Sequence, residues 1–350
     1  MHFSLGNSAV IAMAMALLAG CASGVGAPSN PSASQGTALI HRGSSSCPCI
    51  YVTNYGLGGR IPDAVVVLAG NARGRDVTPI QDINGSNTHL SHPNMVAVGA
   101  SGNIYVINVT STDVLGFAAG ATGNVAPIQD LHGPHTNLLS PSGVAVNPLN
   151  GDIYVANQSN NKPHTPQYRG YILIFPPNAT GDTPPKGVIA GSKTDLNDPA
   201  GLAFDAAGNL YVANQVKNGV AVFAAGSEGN VAPTQLIAGK TTELVHAEQA
   251  VPDANLNIHA VEFGNYESKG SSALTFAAGS NGDAAPTEEI KSGLLLGIAL
   301  DGAGNSYLAK STLRGASIAV FAAGANGQPK PIDTIQCPAC LSNIGGIAIH

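Results

Sequence analysis

An all-β fold, a six-bladed β-propeller with four antiparallel strands per blade, follows from three observations on this 350-residue chain. A tyrosine recurs at Tyr51, Tyr105, Tyr154, Tyr211 and Tyr307, with His259 in the corresponding place, at successive gaps of 54, 49, 57, 48 and 48 residues. A Phe-Ala-Ala-Gly segment recurs at Phe117, Phe223, Phe276 and Phe321, with Phe175-Pro-Pro-Asn and Val67-Leu-Ala-Gly as variants. A proline recurs at Pro79, Pro127, Pro185, Pro233, Pro286 and Pro331. Each landmark counts six copies, and a four-stranded unit repeating about every 50 residues is the pattern of propeller blades. Burial is the physical reason: one twisted sheet cannot cover both of its apolar faces, whereas six in a ring cover them all.

Taken in order, the chain opens with an apolar run over residues 9–20 (AVIAMAMALLAG), shorter than the roughly 20 residues a membrane-crossing helix needs. It reads as the core of a signal peptide over residues 1–20. Leu18-Ala19-Gly20-Cys21 resembles the lipobox of bacterial lipoproteins. That resemblance implies a lipidated Cys21, a membrane anchor, and export to the periplasm or cell surface. The segment before the run carries His2 but no Lys or Arg, and ordinary secretory cleavage nearby is the alternative. Residues 21–46, rich in Ser, Gly, Ala and Pro, read as a flexible linker. The propeller is expected over residues 47–350.

Residues 201–239 hold the most regular copy, with strand a at 201–204, b at 209–214, c at 219–223 and d at 233–238. Val, Leu, Tyr and Phe fill the runs and Gly, Asn and Asp separate them, as in antiparallel strands. Strand a recurs at Met95, Gly143, Gly201, Gly297 and Gly346, but the first copy, starting at Ile50, has none before it. The spare strand at 346–350 is therefore expected to complete the first blade and close the ring. The fifth copy is the weakest, with strand a near 249–251 and a strand b at 257–262 that lacks the aromatic residue. Long b-to-c connections at 158–170 and 263–272 are places for function or for tolerated insertion.

The Gly-Val-Ala-Val, Gly-Asn-Leu-Tyr-Val-Ala-Asn and Gly-Val-Ala-Val-Phe series resembles NHL-repeat six-bladed propellers over residues 47–350. That superfamily also includes gluconolactonase-like and streptogramin-lyase-like enzymes. The shared residues are those that build blades, so the resemblance implies the fold and not a chemistry. The acidic and amide metal ligands of a lactonase-like enzyme cannot be placed on this chain residue by residue.

Charged residues make up only 10% of the chain, the net charge is -6, and no Lys/Arg cluster appears in the sequence, which excludes nucleic acid as an expected partner. Aligned d-to-a connections place His92, Ser140, Asp198 and His246 at one position, and His89, Asn137, Asp195 and Glu243 three residues before it. Such a set could ligate a divalent metal or work as acid and base near the channel mouth. Polar residues before a loop proline more commonly cap the turn, which is the reading favoured for this set. Asn54, Asn108, Asn157 and Asn214 end strand b and are expected to bond the following turn; Glu262 and Lys310 replace them in the last two blades, as an inter-blade salt bridge or a functional pair. His132 and His135 add imidazoles to a surface loop.

Cys47, Cys49, Cys337 and Cys340 flank the propeller, and in an exported protein disulfides are the default. A bridge between the two pairs would staple the ring, a local Cys337–Cys340 bridge competes with it, and a four-thiolate zinc site is a further alternative. The function expected is a binding or scaffolding module without a cofactor, recognising a protein, peptide or glycan. The alternative is a metal-assisted hydrolase or lyase using some of His92, Asp198, His246 and Glu262.

Overall fold

The computed structural model describes residues 48–56, 61–158, 170–263, 270–312 and 315–350. The leader and linker at 1–46, with Cys21, as well as Cys47 and most of both long b-to-c connections, lie outside the described residues.

Among the described residues, twenty-four strands form six four-stranded antiparallel sheets. Blade 1 contains β1 (Cys49–Asn54), β2 (Ala64–Ala69) and β3 (Gln81–Asn84). Blade 2 contains β4 (Pro93–Val98), β5 (Ile104–Asn108), β6 (Asp113–Phe117) and β7 (Gln129–Leu131). Blade 3 contains β8 (Pro141–Val146), β9 (Ile153–Gln158), β10 (Gly170–Phe175) and β11 (Gly187–Ile189). Blade 4 contains β12 (Pro199–Phe204), β13 (Leu210–Asn214), β14 (Gly219–Phe223) and β15 (Gln235–Ala238). Blade 5 contains β16 (Ala247–Pro252), β17 (Ile258–Glu262), β18 (Ser272–Phe276) and β19 (Glu288–Lys291). Blade 6 contains β20 (Leu295–Leu300), β21 (Ser306–Thr312), β22 (Gly315–Phe321) and β23 (Asp333–Ile335). The last strand, β24 (Ile344–Ile349), pairs with β1 and supplies the missing inner strand of blade 1, as the sequence predicts. The ring therefore closes with strands drawn from residues 49–349 alone.

Most strand residues are buried on both faces, because each sheet packs between two others. The strand c landmarks Phe117, Phe175, Phe223, Phe276 and Phe321 are all among the most deeply buried side chains. Each strand d begins two residues after its proline, later than the proline itself, because that residue's missing N–H keeps it out of the ladder.

Connections alternate between two faces. On the lower face, Asn103, Asn209, Asn257 and Asn305 of the a-to-b turns accept backbone N–H groups from the c-to-d loops at Ala119, Ala225, Ala278 and Ala323. The upper face carries the b-to-c and d-to-a connections, which the residues described below tie together.

A contact between blades recurs around the ring. Gly123, Gly181, Gly229, Gly282 and Gly327 in the c-to-d loops donate to the carbonyls of Asp82, Asp130, Val188, Leu236 and Glu289 on strand d of the preceding blade, at 2.6–2.8 Å. Each forms a parallel bridge with the same strand. All five glycines have left-handed φ between 57° and 77°. The next residue then caps the preceding blade's d-to-a turn: Asn124, Asp182, Asn230 and Asp283 accept from the N–H groups of Asn87, His135, Lys193 and Thr241. The outer edge of a blade is thus covered by its neighbour, which removes an exposed template for strand pairing. At the joint of blades 6 and 1, Gly74 accepts from Gln336, Gln336 accepts from Val77, and Arg73 pairs with Asp333 at 3.4 Å.

A disulfide joins Cys337 to Cys340 in the connection that leads to β24. Of the alternatives that the sequence leaves open, the structure has this local bridge and not a staple through Cys337 or Cys340 to the N-terminal pair. Two of the four sulfurs that a four-thiolate zinc site would need are bonded to each other in this structure. Cys49 opens β1 on the lower face, whereas the disulfide lies in a d-to-a connection on the upper one.

Candidate functional site

The blade-equivalent set on the upper face is built by backbone conformation. His92, Asp198 and His246 have φ of 51°, 53° and 52°, while His89, Asn137, Asp195 and Glu243 have φ of 55–59°. Three of the d-to-a connections thus turn on left-handed residues three apart, and the Asn137 connection on one, a conformation that Asn and Asp tolerate better than most non-glycine residues. The carbonyls that follow serve the same scaffold. His92, Ser140, Asp198 and His246 accept from the backbone N–H groups of Val109, Gln158, Gln215 and Phe263, the first residues after strand b or its last.

Their side chains meet different partners. His92 shares a hydrogen bond with Thr110 at 3.1 Å through Nδ1, and its N–H donates to Asp63 at 2.9 Å. His246 is exposed, and its N–H donates to Asn218 at 2.9 Å. Asp198 is half-buried. Glu262 is buried and accepts from the Ser272 N–H at 2.8 Å. Among the described residues no group of three His, Cys, Asp or Glu side chains is placed to hold a metal ion.

The strand b asparagines bond the loop before their blade, and for Asn108 and Asn214 this takes the place of the expected bond to the backbone of the following turn; the connection after Asn157 lies outside the described residues. Asn108 accepts from the Ser91 N–H and donates to the His89 carbonyl. Asn214 does the same with Asn197 and Asp195, and Asn157 accepts from Leu139 and Ser140. In the closing blade Asn54 accepts from Ser342 and Asn343 near the chain end, and also donates forward to Pro62. Lys310, in the same position, reaches Ser292 at 3.1 Å, and burial pushes its ammonium pKa down. No ion pair joins Glu262 to Lys310 among the described residues: Glu262 accepts from Ser272 of its own blade, and Lys310 reaches Ser292 in the connection from blade 5.

His132 and His89 flank Asp130, each at 2.9 Å through Nδ1, and His135 pairs with Asp182. The Asp130 hydrogen bond raises the His132 pKa, and the His135 hydrogen bond lowers that of Asp182. These pairs are exposed at the rim.

A polar feature that sequence reasoning missed lies at the upper end of the inner strands. The pairing register slips there in all six blades, as a β-bulge. In blade 5 the extra residue is Glu248, a carboxylate only 3% exposed. Gln215 of blade 4 donates to Glu248 Oε1 at 2.7 Å, and Gln158 of blade 3 donates to Gln215 Oε1 at 2.9 Å. Bulges re-aim side chains at sheet rims, and here one yields a hydrogen-bonded chain across three blades. The signal for it in the sequence is an acidic residue, followed by an amide, inside a buried inner strand, Ala247-Glu-Gln-Ala-Val-Pro. The adjacent Gln249 accepts from the Ile298 N–H and donates to its carbonyl, joining blades 5 and 6.

No protein-family model matches the chain, and no curated protein matches it. Solved structures do. A protein of unknown function from Bacteroides caccae aligns with a TM-score of 0.58 at 10% identity, over 87% of this chain and 99% of that one. A chain of a nidogen/laminin complex aligns with a TM-score of 0.56 at 14% identity, over 86% and 98%. A candidate 6-phosphogluconolactonase from Bacteroides fragilis aligns with a TM-score of 0.55 at 12% identity, over 88% and 99%. At these identities the likeness is one of fold.

Proposed function

We propose that this chain is an exported, lipid-anchored, NHL-like propeller that acts as a binding or scaffolding module for a protein, peptide or glycan through its upper face. The domain plan is a leader at 1–20, acylation at Cys21, a linker to 46 and the propeller beyond. The observation that carries the reading is the Gln158–Gln215–Glu248 chain. It holds the half-buried amides of Gln158 and Gln215, braced by the buried Glu248 carboxylate, at the upper end of the inner strands, on a scaffold whose other blade-equivalent polar groups are spent on turns. Fixed donors and acceptors on rigid strands suit recognition of hydroxyl or peptide groups.

The fold alone chooses no function, since propellers of similar shape include both a chain of a nidogen/laminin complex and a candidate lactonase. The test is a glycan and peptide array probed with the chain, alongside metal analysis and a panel of lactones and esters. Binding lost in Glu248→Gln and Gln215→Leu supports the proposal. Turnover of a lactone or ester that chelator abolishes, and that falls in His92→Ala or Glu262→Gln, replaces it with a metal-assisted hydrolase.

A further inference from the structure

One position repeats around the lower rim with unequal chemistry. Ile80, Ile128, Lys186, Thr234, Thr287 and Ile332 each donate their N–H to strand c of their own blade at 2.7–2.8 Å, so they are structural equivalents. The three isoleucines belong to blades 1, 2 and 6, which are consecutive in the closed ring. They are 51%, 53% and 59% exposed. Blades 3, 4 and 5 carry Lys or Thr there. Isoleucine has no reason to face water at three adjacent joints, and isolated exposed apolar residues would not follow the ring order.

The chain ends give this arc its meaning. Cys49 and His350 exchange backbone hydrogen bonds at the start of β1, so the chain enters blade 1 on the lower face, in the middle of the arc. About 27 residues separate Cys21 from Pro48, and a Gly/Ser-rich chain of that length spans roughly 30 Å on average. Among the described residues, six of the nine exposed large hydrophobic side chains lie on lower-face connections, including Leu149 and Leu256.

We propose that the lower rim of blades 6, 1 and 2 rests on the lipid bilayer that carries the anchor, with Ile332, Ile80 and Ile128 entering its interface. This rests on the reading of Cys21 as acylated. An acylated Cys21 would keep the ring within reach of the bilayer, where buried apolar side chains add to the attachment. The orientation also turns the upper face, with the Gln158–Gln215–Glu248 chain, away from the membrane.

The test uses residues 22–350, which contain the closed ring and lack both leader and Cys21, in flotation with phosphatidylethanolamine/phosphatidylglycerol vesicles. The chain is expected to partition onto the vesicles, and Ile80→Ser/Ile128→Ser/Ile332→Ser to lower the partition coefficient by at least about tenfold, given the apolar area each side chain buries. The upper-face set Leu139→Ser/Val216→Ser/Leu294→Ser is expected to bind like the parent. No partition of the parent, equal binding by the lower-rim variant, or loss in the upper-face variant would overturn the proposal. Acylation is read separately, from the mass of the N-terminal peptide of the full chain purified from bacterial membranes. An unmodified Cys21 sinks the anchor while leaving the vesicle result to stand by itself.

Discussion

The backbone N–H of Gly123 donates to the Asp82 carbonyl at 2.7 Å across the joint of blades 1 and 2, and four later glycines repeat the bond around the ring. A side chain at Gly229, one of the four, would meet nothing within 4 Å, so the left-handed φ of 76° alone penalises it. Gly229→Ala should cost about 1–2 kcal/mol. Gly229→Pro also removes the donor and cannot adopt that φ, and should cost about 3 kcal/mol or more. Urea denaturation of the two variants checks both, and equal stability would show that the clasp contributes nothing.

Removing β24 opens the ring. Ile344, Ile347 and Ile349 are buried, and exposing them forfeits about 1.5–3 kcal/mol each. The sum approaches the whole stability of an ordinary domain, about 5–15 kcal/mol. A chain ending at Ser342 should therefore show no cooperative thermal transition by circular dichroism, and a melt matching the full chain would contradict closure through this strand.

Asn214 makes two hydrogen bonds to the connection that precedes its blade, at 2.7 and 2.8 Å, and is fully buried. Asn214→Ala leaves the Asn197 N–H and the Asp195 carbonyl without their partner, at a cost of about 2–3 kcal/mol. Hydrogen exchange should quicken at Asn197 before it does in β14.

His259 takes the place of the strand b tyrosine in blade 5, facing Thr275 at 3.1 Å and Asp253 at 3.5 Å, with Glu288 near. Burial pushes its pKa below the usual value of about 6.5. The folded state binds this proton more weakly than the unfolded one, so stability present above pH ~6.5 is lost as the pH falls towards the folded pKa. His259→Tyr should flatten the dependence of the melting midpoint between pH 7 and 5. An unchanged slope would assign the dependence to other groups.

Cys337 and Cys340 enclose so short a loop that chain entropy assigns their bridge only about 2 kcal/mol, against nearly 5 for a loop of a hundred residues. Cys337→Ser/Cys340→Ser should lower stability by about that amount and keep a cooperative melt. Collapse of the fold would mean the bridge is required for closure.

What the sequence made legible was whatever repeats within a blade. The Phe-Ala-Ala-Gly segments, the tyrosines and the spare strand at 346–350 all report local packing or a strand count, and the structure follows them, down to β14 at Gly219–Phe223. What it hid acts across distance. Asn108 reads like a turn residue, yet its partners lie 17 and 19 residues back. The Gly-Asn and Gly-Asp steps at 123–124, 181–182, 229–230 and 282–283 are spelled out in the repeats, but their partners sit on another sheet. Glu248 owes its place to a slip of register, which no periodicity shows because the bulge breaks the period.

Cys49 and His350 exchange both of their backbone hydrogen bonds, at 2.7 and 3.0 Å. Start and finish of the ring are thus next-door neighbours in one sheet, and a short peptide joining them would leave every blade as it is. New ends could then be opened in an upper-face loop such as residues 215–218, giving a circularly permuted protein with the same core. The order in which the gene spells the blades is a matter of where the circle is cut.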